Sequence, residues 1–466
     1  MILMIRTSIV VLFLACVASS SLAKLTSDQL EQARKWIATP RQSRPSVESL
    51  DLPSDLSKQD AALVKEQLWH LVSEQLQKDS PLSALPDEVH SRVQQGQLRI
   101  DIETLELGEF TMPYVVIRRE QQHPPAAGRP LFICLHGGGA NPDAEGPHAW
   151  PMNTQEMQAQ IQLAVQVYPS EGIYWIPRMA DDRLGRWWHY HNQQAYDLVI
   201  NHAISQWGVD PNRVYFLGVS EGGYATDVVV PFMADRFAGA SAMAAGVALG
   251  NPPENLRNVA FRTDVGAMDD MFDRRPLAVA FHQELDKLHD ADPAGYQHSI
   301  NVQTGRGHGI DYRPGPGWIA KQSRTPFPKT LEWIDQPLEG HRRERFYWVE
   351  WESEDRTGRN HIRAIASREE NCIELVAEQL SKQTPEGHPT HIKRPESNPQ
   401  SLSGARLTLL LSDELVDLDN EVEVIVNGEA LASIRPHRSA GDLLATLVQR
   451  PDPSMSATFR FEVKIP

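Results

Sequence analysis

Cysteine is scarce in this chain: of 466 residues only three are cysteine, and Cys16 falls inside an apolar leader. The other two, Cys134 and Cys372, sit far apart in apolar, strand-like stretches. They read as small buried apolar residues, so no disulfide framework is expected to hold the fold. Basic charge is also scarce, with 45 Lys and Arg against 61 Asp and Glu and a net of −16. Such a surface repels phosphate backbones and anionic lipid heads, and no basic run interleaved with aromatics reverses this locally. Nucleic acid is therefore not an expected partner. Beyond the leader no apolar run approaches the roughly 20 residues of a spanning helix, so no membrane span is expected. Internal repeats are absent.

Residues 1–23 read as a secretory signal, with Arg6, the apolar run Ile9 to Val17, and the small residues Ser21 and Ala23 before a cleavage point. A secreted or periplasmic location follows. Cys16 after Leu14-Ala15 leaves a lipid anchor as the alternative, which Phe13 disfavours. From 24 to 96 the pattern is helical, clearest in Ser57 to Gln77, where Ala61, Val64, Leu68, Leu71 and Leu76 recur at helical spacing. Within 97–340, Gln97 to Arg119 alternates like two strands. Six further strand-like runs then alternate with helical ones: Leu131 to Leu135, Leu163 to Tyr168, Val214 to Gly218, Ala240 to Val247, Asn258 to Val265 and Ile300 to Thr304. That alternation predicts an α/β fold, a mostly parallel sheet with helices on both faces and its chemistry at the carboxyl ends of the strands. Residues 341–466 predict a β-rich accessory domain, with a type I′ hairpin at Asn427-Gly428 and a polar loop from Gln383 to Ser403.

Gly218-Val-Ser220-Glu-Gly222 follows one of these strands and opens a helix-like run, Gly223 to Val230. A sharp strand-to-helix turn forces a serine into strained backbone angles, and side chains two positions either side would clash. Chance alone yields this pattern in roughly one chain of this length in six or seven, so it needs support. The support is upstream: His136-Gly137-Gly138-Gly139 follows another buried-looking strand. Glycines there let backbone amides face a developing oxyanion without obstruction. The amide of Gly137 or Gly138, with that of Glu221 at a helix N-terminus, is the expected oxyanion hole.

A serine hydroxyl needs an imidazole to take its proton and a carboxylate to orient that imidazole. Chain order in this kind of fold is serine, acid, histidine. Asp264, Asp269, Asp270 and Asp273 crowd the loop after Asn258 to Val265, and Asp269 is the expected acid, with Asp270 next. Gly305-Arg-Gly-His308-Gly309 presents the expected base, His308, ahead of His282, His289 and His298. Trp187-Trp188-His189-Tyr190-His191 is the densest aromatic cluster, and Trp187, Trp188 and His189 are candidates for stacking on a substrate ring, against core packing. The pairs His189 and His191, and His388 and His391, lack the third ligand of a metal site, and Lys393-Arg394 reads as solvated. No metal or cofactor is called for.

Ser220, Asp269 and His308 in these settings resemble α/β-hydrolase serine esterases, and more narrowly the secreted polyhydroxybutyrate depolymerase and feruloyl or acetyl xylan esterase-like branch. Asp210-Pro-Asn-Arg-Val-Tyr, Met233-Ala-Asp-Arg-Phe-Ala, Leu256-Arg-Asn-Val and Gly305-Arg-Gly-His308 are similar to that branch over about Leu131 to Pro337. The resemblance implies a Ser-Asp-His triad acting on small-molecule or polymeric esters. Known members often carry disulfides in the catalytic domain, and this chain lacks the cysteines for them. Two other readings stand beside it: a serine peptidase of the prolyl oligopeptidase type, whose large propeller the N-terminal region is too short to form, and a noncatalytic extracellular glycan-binding protein on a hydrolase scaffold.

Overall fold

The computed structural model describes residues 24–87, 100–120, 125–246, 251–352, 356–380 and 399–466. The signal expected at 1–23, most of the polar loop 383–403, and His388, His391, Lys393 and Arg394 lie outside them. Among the described residues no helix is long and apolar enough to cross a membrane.

The first described helices are α1 (Ser27–Ala38) and α2 (Lys58–Asp79). Thr26 and Gln29 form a reciprocal capping box on α1, and Ser57 accepts the Asp60 amide at 3.1 Å to start α2. The apolar stripe Ala61, Val64, Leu68, Leu71 and Val72 is buried.

The central sheet has eight strands: β1 (Glu103–Leu107), β2 (Phe110–Arg119), β3 (Arg129–Leu135), β4 (Gly172–Pro177), β5 (Val209–Val219), β6 (Gly239–Met243), β7 (Ala260–Gly266) and β8 (His298–Gln303). Their order is β1-β2-β4-β3-β5-β6-β7-β8, with β1/β2 and β2/β4 antiparallel and the other pairs parallel. Helices α3 (Pro151–Gln162), α4 (Tyr190–Gln206), α5 (Glu221–Phe232) and α6 (Arg274–Ala291) connect the parallel strands, followed by the short α7 (Pro314–Ile319). This is the expected α/β fold. The parallel strands β3, β4 and β6 are buried almost without a break, as covered faces on both sides require.

One expected strand is corrected. Leu163 to Tyr168 is not a strand: α3 continues into a π turn over Leu163–Val167, and the strand is Gly172–Pro177. The buried positions Met157, Gln160 and Ala164 follow helical spacing, so the alternation of Leu163, Val165 and Val167 misleads. The true strand is buried at every residue and so shows no alternation to betray it. The run Ala240 to Val247 is also shorter than expected, because Ala244 turns to φ 51° and ends β6 at Met243.

The C-terminal region is β-rich. Strands Glu429–Ile434, Val422–Val426, Cys372–Leu380, Arg359–Ser367 and Thr330–Asp335 lie side by side in one sheet. Thr330–Asp335 thus pairs into this sheet although it precedes residue 341. A second sheet contains Arg406–Leu411 and Phe459–Lys464. Asn427 (φ 50°) and Gly428 (φ 85°) are both left-handed, the geometry of a type I′ turn. Helix α8 (Ala440–Gln449) packs Leu443, Leu444 and Leu447 against α1 and α2 in one apolar cluster. A larger core runs unbroken from Trp187 and Phe216 under the central sheet to Trp333, Trp348 and Leu407 in the β-rich region. Cys134 and Cys372 are both free and buried.

Candidate active site

Strand register brings the site together. Leu135 pairs with Gly218, so the glycine loop after β3 and the turn after β5 emerge side by side. Gly266 pairs with Gln303, and the Ala267 and Met268 amides donate to the carbonyls of Gln303 and Arg306 at 3.0 and 2.9 Å, so the loops after β7 and β8 are laced to each other.

Ser220 has φ 55° and ψ −111°, a strained conformation for a residue with a side chain. Its amide donates to the Met243 carbonyl at 2.8 Å, which anchors the turn to β6. The flanking glycines are sterically required: a Cβ on Gly218 would lie 2.1 Å from the Gly222 carbonyl oxygen, and one on Gly222 would lie 2.4 Å from that of Leu135. His308 Nε2 lies 3.0 Å from Ser220 Oγ, and its Nδ1 lies 2.8 Å from Asp269 Oδ2. Asp269 is 3% exposed, and its other oxygen accepts from Arg274 Nη1 at 3.1 Å. Arg274 in turn donates through Nε to the Tyr224 hydroxyl at 2.6 Å.

The neighbouring carboxylates go elsewhere. Asp270 is solvent-exposed and pairs with Arg275. Asp264 is buried against Arg262 and Asn301, and Asp273 caps α6 in a left-handed conformation. His282 bonds Thr263, His289 bonds the Gly295 carbonyl, and His298 bonds Asp286.

The glycine loop is held by buried polar groups that sequence patterning did not reveal. Asn153, fully buried on α3, accepts the Gly139 amide at 3.1 Å and donates to the Gly139 carbonyl at 3.0 Å and to Asp182 at 2.7 Å. Asp182 is clamped by Arg178 at 2.8 Å. His136 accepts the Met179 amide at Nε2, at 3.3 Å, so its proton resides on Nδ1, which donates to the Gly137 carbonyl at 2.5 Å. Burial pushes this imidazole down to about 3, so it stays neutral. Because the Gly137–Gly138 peptide is planar and trans, a carbonyl turned toward His136 sends the Gly138 N–H the opposite way. Gly139, bonded to Asn153, is unavailable as a donor. The Glu221 amide opens α5 beside Ser220, while its buried side chain accepts from Arg186 through both oxygens at 2.7 Å. Burial pushes the Glu221 carboxyl up, and Arg186 opposes that shift.

Trp187, a candidate for substrate contact, is corrected. It is fully buried, donates from Nε1 to the His136 carbonyl at 3.0 Å, and meets the His136 ring edge-on at 4.8 Å. It supports the glycine loop from below. Trp188 is partly buried beneath the Arg186 guanidinium, 5.6 Å from its ring, and His189 bonds Glu339 at 3.0 Å. Among the described residues no group of three or more His, Cys, Asp or Glu is placed to hold a metal ion.

Two features near Ser220 escaped sequence reasoning. The Glu156 carboxylate approaches Gly137 so closely that a Cβ there would lie 2.5 Å from Oε2 and 3.4 Å from Ser220 Cβ. A cavity of about 350 Å³ adjoins it, lined by Glu156, Leu163, Val167, Val219 and Tyr312 among others. That volume lies in the ordinary range of small-molecule sites.

No protein-family model and no curated protein matches the chain. Among solved structures it is similar to a thermostable esterase (20% identity, 48% of this chain, TM-score 0.35), and the match spans 63% of that esterase. It is also similar to a ferulic acid esterase (17% identity, 45% of this chain and 91% of that one, TM-score 0.31). An enterobactin and salmochelin hydrolase matches at 12% identity over 49% of this chain and 98% of that one, with a TM-score of 0.32. The likeness is confined to about half of the chain, and the fold rests on the strand order described above.

Proposed function

We propose that the chain is a serine hydrolase that cleaves carboxylic esters through an acyl-enzyme on Ser220. The observation that carries this reading is the continuous relay from buried Asp269 through His308 to Ser220, at 2.8 and 3.0 Å, ending on a serine in a strained turn. Such strain and such a relay have no purpose in a passive scaffold. Ser220 Oγ attacks the ester carbonyl as His308 Nε2 takes its proton, and Asp269 holds the Nδ1–H and stabilises the imidazolium. The tetrahedral oxyanion rests on the amide of Glu221 and that of Gly137 or Gly138. His308 then protonates the departing alcohol, and water activated by the same imidazole releases the acid. The cavity beside Val219 and Tyr312 is of a size for a short acyl group. The resemblance to feruloyl and acetyl xylan esterases and polyhydroxybutyrate depolymerases suggests the classes to test, and export through residues 1–23 would place the enzyme outside the cytoplasm.

The test is a panel of p-nitrophenyl esters, acetylated xylan, feruloylated arabinoxylan and hydroxybutyrate oligomers, run beside proline-containing peptide amides. Short-chain ester cleavage that disappears in Ser220→Ala is expected, with the active chain recovered beginning at Lys24. Faster cleavage of the peptides, or full activity in Ser220→Ala, would overturn the proposal.

A further inference from the structure

A second cavity of about 350 Å³ lies between α4, residues 341–345 and the end of α8, and none of Ser220, Asp269 or His308 lines it. Six arginines do: Arg41, Arg236, Arg342, Arg343, Arg345 and Arg450. Their carboxylate partners are fewer. Asp197 serves both Arg343, at 2.6 Å, and Arg236, at 3.2 Å. Arg41 pairs with Glu344 at 2.8 Å, Arg342 with Asp335 at 2.6 Å, and Arg450 with Asp235. Six guanidiniums thus share four paired carboxylates.

Arg345 is the one left over. It is 4% exposed and donates to the neutral carbonyls of Tyr347 and Met455 at 2.8 and 2.5 Å, while its Nη1 is buried without a hydrogen-bond partner. Glu350, whose charge acts on it, is itself pushed toward the neutral form by burial. Burial, with the charge of neighbouring Arg450, also lowers Arg345 to about 9 and Arg236 to about 10. An anion entering the cavity would relieve both effects. Guanidinium forks match the planar geometry of carboxylate and sulfate oxygens. At the wall the Tyr190 and His341 rings stack with centroids 3.4 Å apart, and Gln194 lies at the mouth. A flat aromatic face suits a sugar ring, and an amide both donates to and accepts from hydroxyls.

We propose that this cavity binds the oxyanion of a small acidic saccharide, a uronate or a sulfated sugar. The arginines take the charged group, and Tyr190, His341 and Gln194 face the hydroxylated ring. The site draws on α4 as well as the C-terminal region, so it belongs to the whole chain.

Calorimetric titration of the full chain carrying Ser220→Ala, with glucuronate, glucose and inorganic sulfate at low ionic strength, tests this. Glucuronate is expected to bind at least about tenfold more tightly than glucose. Gln194→Glu, which places a negative charge at the mouth, and Arg41→Gln should each weaken glucuronate by about five- to tenfold. Neither variant should move the melting temperature, nor p-nitrophenyl ester hydrolysis when Ser220 is intact. Equal affinity for glucose and glucuronate, or affinity indifferent to both variants, overturns the proposal. Sulfate binding without glucuronate binding marks an adventitious ion only and overturns it as well. Ester hydrolysis is read separately, so failure here leaves the proposal for Ser220 standing.

Discussion

Asp269 and Asp270 are adjacent in the chain and opposite in environment: one is 2% exposed at the side chain and bonded to His308, the other 59% exposed and bonded to Arg275. Asp269→Asn is expected to lower kcat about 100- to 10,000-fold, because an amide cannot hold the imidazole in the reactive tautomer. Asp270→Asn should leave kcat within about twofold, since an exposed ion pair contributes little. Equal losses in the two variants on p-nitrophenyl acetate would refute the assignment. Glu156 poses the reverse case. Its carboxylate beside Gly137 opposes an oxyanion on the neighbouring amides. A unit charge roughly 6 Å away at an effective dielectric near 20 is worth about 3 kcal/mol, and partial exposure reduces this. Glu156→Gln is therefore expected to raise kcat on neutral esters by about three- to tenfold. A reduced kcat would mean that the carboxylate instead contacts the substrate productively.

Helix α5 carries two unrelated constraints. At its start Gly222 and Gly223 let it pack directly on β3 and β6, where Cβ atoms would lie 2.4 and 2.5 Å from Leu135 and Ala245. Farther along, Asp227 is buried, and burial alone pushes its carboxyl up to about 8. The folded chain therefore keeps this proton where the unfolded chain, with a carboxyl near 3.9, has released it. The stabilising difference is fully present below about pH 4 and is lost as pH rises toward 8, with a slope of at most about 1.4 kcal/mol per unit. Asp227→Asn should flatten that part of the pH–stability curve, measured as urea midpoints at pH 5 and pH 8. An unchanged difference between the two midpoints would show that Asp227 does not titrate in this range.

The two ends of the described chain close on each other. Leu443, Leu444 and Leu447 of α8 are each at most 1% exposed, in a cluster with Leu68 and Val72 of α2. The same α2 is tied to the central sheet, with Ser73 Oγ donating to the Ser205 carbonyl at 3.0 Å and Trp207 Nε1 to that of Ser83, just beyond the helix, at 3.1 Å. The N-terminal helices therefore brace the α/β unit and the β-rich region together. Deleting residues 24–87 uncovers several leucines, each worth about 1.5–3 kcal/mol of burial. A fall in melting temperature of at least roughly 5 °C, or loss of soluble protein, is expected by calorimetry. An unchanged melting temperature would show that these helices are dispensable to the rest.

Short-range chemistry was legible in the residues themselves. The elbow glycines, the glycine loop after β3, the cap at Ser57 and the Asn427-Gly428 turn all act over a few positions, and sterics or local hydrogen bonding dictate them. The pairing of Asp269 with His308 was only ranked, because four aspartates share one loop and burial chooses among them. Gly172–Pro177 was missed and Leu163–Val167 misread, because a strand buried on both faces carries no period. The roles of Asn153, His136, Arg274 and Glu156, the inward turn of Trp187 and the arginine-lined cavity arise from contacts between segments far apart in the chain. Packing alone decides such contacts, since whether a polar side chain is a clamp, a counter-charge or an orphan depends on which neighbours exclude water from it.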